Sequence, residues 1–203
     1  MKIFAGTTAL WYASRATGIV ALVLLTLVVL VGITVSRKGR VPGLPRFAVM
    51  GLHRRISLLA VAFVAVHVLT AIADPYVSIR LAAVIVPFAS AYQPVQTGLG
   101  AVALDLGFAV LVTSLLRKRI GWRIWRAVHW LAYAAYPVAV LHGFTGAKDL
   151  RSGWLLVLTV VGLLAVAGAV TWRIAETRRY PGQRQRPGPL ARPAPRERAG
   201  APA

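Results

Sequence analysis

Long apolar blocks separated by clusters of arginine are the feature that most restricts how this chain can fold. A helix needs about 20 mainly apolar residues to cross roughly 30 Å of hydrocarbon. Five blocks reach that length, at about 11–35, 47–73, 98–116, 123–143 and 153–173. Only 14% of the residues are charged, against about a quarter in soluble domains, and the charges lie between the blocks instead of alternating with apolar positions. The pattern predicts an all-α fold, an integral membrane bundle of five transmembrane helices. The first block is too long for the apolar core of a cleaved signal peptide, about 7 to 15 residues, so it reads as a retained span. Trp154 and Trp172 bracket the fifth, where amphipathic rings meet the two interfaces.

The charge balance is lopsided, with 24 Lys and Arg against 5 Asp and Glu. Cytoplasmic loops carry the excess of basic residues, and assigning alternate loops to opposite sides splits the 24 into 19 and 5. The expected topology is a multi-pass protein of the plasma membrane with its N-terminus outside and its C-terminus in the cytoplasm. Residues 1–175 form the membrane domain. Residues 176–203, rich in Arg, Pro, Gly and Gln, read as a disordered basic tail that could meet anionic lipid. Because the arginines follow topology and the tail lacks interleaved aromatics, no nucleic-acid partner is expected; the partner is the lipid bilayer. Between the second and third blocks, residues 75–97 carry Pro87 and Pro94 around a short apolar stretch, too broken to cross. This segment reads as an interfacial or re-entrant cap on the outer side.

Cysteine is absent, which excludes disulfides, iron–sulfur clusters, thiolate metal sites and covalent haem attachment. All four histidines fall on two blocks: His53 and His67 on the second, His129 and His142 on the fourth. One hairpin separates those blocks, so they run in the same direction. Counted from their starts, His53 and His129 lie at one depth and His67 and His142 at another. The spacings of 14 and 13 residues correspond to about 21 and 20 Å of helical rise, so two stacked sites fit within the hydrocarbon. Two axial imidazoles on one haem iron make a closed, six-coordinate centre suited to carrying electrons. At about 100° per residue, 14 positions return to nearly the same face, whereas 13 leave about 140° of mismatch. Pro137 removes a helical hydrogen bond between His129 and His142, which predicts irregular helix near Tyr133–Pro137.

The segments GLHRRISLLAVAFVAVHVLTA around His53 and His67, WRAVHWLAYAAYPVAVLHG around His129 and His142, and WYASRATGIVALVLLT in the first block resemble the ferric reductase-like transmembrane domain. That family is shared with the membrane domains of NADPH oxidases and the haem-binding subunit of bacterial methionine-sulfoxide reductase. The resemblance covers about residues 10–175. It implies two haem b groups, one on His53 and His129 at the inner side and one on His67 and His142 at the outer side, passing electrons outward. The chain would then be the membrane haem subunit of an oxidoreductase. It carries no Gly-rich phosphate-binding fingerprint of a flavin or nicotinamide domain. The expected electron donor is therefore a separate cytoplasmic or membrane partner, a flavoprotein or a quinol, and the acceptor lies outside: ferric iron, oxygen or a redox protein.

Arg54, Arg55 and Arg126 lie near the inner histidines, where guanidiniums match haem propionates, although positive-inside bias alone also accounts for them. Arg15 is expected to pair with Asp105 or with an outer propionate; snorkelling of Arg15 and a helix–helix hydrogen bond from Asp105 are the simpler readings. Trp130, Tyr133 and Tyr136 flank the histidines, and Gly18, Gly32, Gly100, Gly107, Gly162 and Gly168 allow close approach, with no chemistry assigned. Two other functions fit the composition. A transporter or proton channel would use the histidines and Asp105 as a relay, and an assembly subunit would use the histidines for packing alone.

Overall fold

A computed structural model describes residues 2–36, 45–75 and 79–179. The described chain is all-α, in the order α1 (Lys2–Ser36), α2 (Arg46–Ala73), α3 (Leu81–Ile85), α4 (Pro94–Leu115), α5 (Arg117–His129), α6 (Ala132–Gly146), a 3-10 turn (Lys148–Arg151) and α7 (Gly153–Arg179). Four helices are long and apolar enough to span a membrane: Ala9–Val35, Arg46–Ala73, Pro94–Leu115 and Gly153–Ala175. Large apolar side chains line their outward faces, among them Leu58 and Leu69 on α2, Phe108 on α4 and Leu164 on α7. An aqueous surface would not sustain that much exposed apolar area; lipid covers it.

The fourth expected span, about 123–143, is not one helix. It divides into α5 and α6 around Trp130 and Leu131. α5 is short and carries Arg117, Arg119, Arg123 and Arg126 beside Trp122 and Trp125, a composition that suits an interface better than hydrocarbon. α6 is apolar but only 15 residues long, about 22 Å of rise. Four of the expected spans are thus long single helices, and the stretch expected as the other is this divided α5–α6 element.

The irregularity expected at Tyr133–Pro137 lies slightly upstream. Trp130 N–H bonds to the Ala127 carbonyl, Leu131 to Val128, Tyr133 to Trp130 and Ala134 to Leu131, all three residues back. Pro137 itself sits inside α6. Its ring crowds the carbonyl four residues earlier, that of Tyr133, so the distortion accumulates on the N-terminal side. Such tightened turns advance about 120° per residue in place of 100°, which moves His142 toward the face that a straight helix would deny it.

α1 and α2 form the most extensively packed helix pair, and α4 packs along α6. A small core of Val29 and Ile33 from α1, Tyr136 and Val140 from α6 and Val166 from α7 joins three helices. Tyr136 reaches α1 through a 3.0 Å hydrogen bond with Thr26 Oγ1. Gly121, at φ 79° and ψ 165°, bends the chain just after the end of α4 in a backbone region open to glycine. At the opposite end of the bundle, α3 packs on α4, and the Phe88 ring rests directly on Gly98. The expected cap is thus a short helix followed by turns, with residues 76–78 outside the described part. Arg151 closes α6 by donating to the carbonyls of Phe144 (2.6 Å) and Thr145 (3.0 Å). α7 continues to Arg179, past the expected start of the tail at 176; residues 180–203 and the basic loop residues Arg37, Lys38 and Arg40 lie outside the described residues.

Candidate haem-binding site

The four histidines meet in two pairs. The His53 and His129 ring centroids are 6.4 Å apart with planes at 74°, and those of His67 and His142 are 6.1 Å apart at 73°. The first pair lies at the arginine-rich end of the bundle and the second at the capped end. Two metal–imidazole bonds of about 2 Å each, together with the two ring radii, come to about 6 Å. Each pair therefore has the separation that one shared metal between its rings requires. Among the described residues there is no cluster of three or more His, Cys, Asp or Glu side chains. A bare ion would have only two protein ligands, whereas a haem iron already has four from its macrocycle and needs two.

The rings are seated by missing side chains on the neighbouring helix. A Cβ on Gly18 would fall 2.9 Å from His67 Nδ1, one on Gly32 would fall 3.1 Å from His53 Cε1, and one on Gly100 would fall 2.8 Å from His142 Cε1. Gly18 and Gly32 are 14 residues apart, as are His53 and His67. Antiparallel α1 thus offers one glycine to each histidine of α2.

At the capped end, hydrogen bonds orient both imidazoles. His67 Nδ1–H donates to the Ser14 carbonyl at 2.7 Å, and His142 Nδ1–H donates to the Gln96 carbonyl at 2.9 Å. A carbonyl can only accept, so the proton lies on Nδ1 and Nε2 keeps its lone pair for a metal. At the arginine-rich end, His53 Nδ1 and His129 Nδ1 are buried without a hydrogen-bond partner. The Val28 carbonyl approaches His53 loosely, outside hydrogen-bond geometry. His129 is covered on one face by Trp125, with centroids 4.8 Å apart and planes at 27°.

Arg54 and Arg55 are exposed on α2 beside His53. Arg126 is exposed on α5 and lines, with Trp122, Arg123, Ala127 and Trp130, an open groove of about 440 Å³. Arg15 stacks over Trp11 at 4.4 Å. Among the described residues no ion pair joins Arg15 to Asp105, and Asp105 is exposed on α4. Arg173 is a residue that positive-inside counting alone hides. It stacks on Trp130 (4.6 Å) and Tyr133 (5.4 Å) and donates from Nη1 to the Tyr133 hydroxyl, clasping α7 to the α5–α6 break.

The family model described as ferric reductase like transmembrane component matches residues 17–140. The chain belongs to this family. The match contains His53, His67 and His129 and ends two residues before His142. Membership in the ferric reductase-like family makes this a membrane component of transmembrane electron transfer, in a family that typically binds haem. No curated protein and no solved structure matches the chain.

Proposed function

We propose that this ferric reductase-like chain is a di-haem b electron-transfer protein. Its two sites are His53 with His129 and His67 with His142, and electrons pass from a donor on the cytoplasmic side to an acceptor outside. The observation that carries the proposal is the pairing of all four histidines at 6.4 and 6.1 Å across facing helices. A haem bound at each pair supplies an iron that accepts and releases one electron without binding substrate. The residues of the chain do the rest. Gly18, Gly32 and Gly100 leave room for the rings, and the Ser14 and Gln96 carbonyls fix the protons of the capped-end imidazoles on Nδ1. The apolar helices keep water out. Along α2 the two histidines are separated by about 21 Å of rise, which carries charge across most of the hydrocarbon.

The 19-to-5 split of basic residues supports a cytoplasmic arginine-rich end and an outer capped end. Arg54, Arg55 and Arg126, all exposed, would meet the propionates at the cytoplasmic end. A flavoprotein or quinol is the proposed donor there, and the basic surface suits an acidic protein partner. The test is a reduced-minus-oxidised visible spectrum of the purified protein with its haem-to-protein ratio. A b-type spectrum at two haems per chain, falling to one in His53→Ala and to one in His67→Ala, is the expected result. Haem-free protein after expression with added haem would refute the proposal.

A further inference from the structure

Three of the four imidazoles sit against glycine, and among the described residues His129 does not. In the α4–α6 hairpin, the position that mirrors Gly100 opposite His142 falls near Thr113 and Ser114, so α4 offers no glycine to His129. Its Nδ1 has no hydrogen-bond partner either. What touches it is Trp125, one helical turn earlier on α5, stacked at 4.8 Å and 27°. Trp125 is itself fixed from three directions. Its Nε1–H donates to Ser114 Oγ on α4 at 3.3 Å, the Arg117 guanidinium lies 4.5 Å over its ring, and Trp122 packs beside it at 4.8 Å. A ring clamped in this way constrains the plane of its neighbour, because offset aromatic stacking falls off when the planes rotate apart.

We propose that Trp125 is the positioning residue for His129, doing by stacking what the Ser14 and Gln96 carbonyls do by hydrogen bonding for the capped-end pair. Through His129 it sets the 74° between the two imidazole planes of the arginine-rich site. The inference rests on the di-haem reading. It concerns a property, the orientation of one ligand plane, that the low-spin ferric electron paramagnetic resonance spectrum reports directly. Near-perpendicular axial imidazoles give a single strongly shifted low-field signal, and rotation toward parallel moves it to higher field.

The experiment uses the full-length, haem-loaded protein in the His67→Ala background, which retains the arginine-rich site, and in the His53→Ala background, which retains the capped one. Trp125→Leu keeps apolar bulk and removes the stacking plane, whereas Trp125→Phe keeps a plane. In the His67→Ala background, Trp125→Leu should move or broaden the low-field signal and weaken haem retention by about two- to tenfold. Trp125→Phe should preserve the signal, and Ser114→Ala should shift it less than Trp125→Leu. In the His53→Ala background none of these variants should move the signal. Outright loss of the site in Trp125→Leu with retention in Trp125→Phe would also support the proposal. An unmoved signal in Trp125→Leu, loss of the site in both Trp125 variants, or an equal shift at the capped site would overturn it. If the unmutated chain binds two haems while Trp125→Leu changes nothing, only this inference falls. If the unmutated chain binds none, the di-haem reading falls with it.

Discussion

The two ends of the bundle build nearly the same object by different means. Ring separations of 6.4 and 6.1 Å and interplanar angles of 74° and 73° are almost interchangeable. At the capped end, each imidazole donates to a carbonyl and rests on a glycine. At the arginine-rich end, neither Nδ1 has a partner, and one ring is held by a tryptophan that Arg117 covers. Similar geometry therefore does not imply similar chemistry. A donated Nδ1–H makes the opposite nitrogen a more basic ligand, and among the described residues only the capped-end imidazoles meet hydrogen-bond geometry at Nδ1.

The largest expected effect separates the ends outright. His142→Ala should remove the capped-end haem and leave the other, while His129→Ala should do the reverse, each halving haem per chain in a pyridine haemochrome assay. If either substitution empties both sites, the ends are not independent and the comparison collapses. Next in size are the glycines. Gly18→Ala and Gly100→Ala place a methyl group under 3 Å from a ring, and such overpacking costs about 1–3 kcal/mol. Both should deplete the capped-end haem selectively, whereas Gly107→Ala, with nothing within 4 Å, should leave both haems and thermal stability unchanged.

A finer distinction concerns potential. With a haem bound at each pair as proposed, the carbonyl bonds of Ser14 and Gln96 would stabilise the ferric form at the capped end, and the Arg117 and Arg173 charges near His129 would favour the reduced, less positive centre. A redox titration should resolve two steps, with the arginine-rich site reduced first. Assigning them through His53→Ala and His67→Ala checks the order, and a reversed order would mean that ligand hydrogen bonding does not govern the difference. The smallest effect is at Arg173. Arg173→Gln should lower stability by about 0.5–1 kcal/mol through lost stacking on Trp130 and Tyr133, seen as a modest fall in Tm.

The sequence shows the histidine pairs plainly because depth along a membrane helix is a matter of counting, and both α2 partners lie on one face. It shows four of the spans for the same reason. It does not show the division of α5 from α6, since the block around 123–143 is apolar enough on average to conceal an arginine- and tryptophan-rich first half. Pro137 announces a distortion but not its place, because the crowding is felt a turn upstream. Gly18, Gly32 and Gly100 are visible as small residues among many. Only the antiparallel alignment of α1 on α2 and of α4 on α6 singles them out. Trp125 and Arg173 are invisible for a different reason: each acts through a partner on another helix or another turn, and neither lies in a spacing that the sequence repeats.

One feature of the packing bears on how the protein is made. α2 packs extensively along α1, and no comparably extensive packing joins it to α5 or α6 among the described residues; there the histidine rings face each other. On the di-haem reading, α2 would meet α5 and α6 largely through the two bound groups and little through direct helix packing. Biogenesis and cofactor supply would then be coupled at the level of assembly. The amount of assembled protein would then track haem supply.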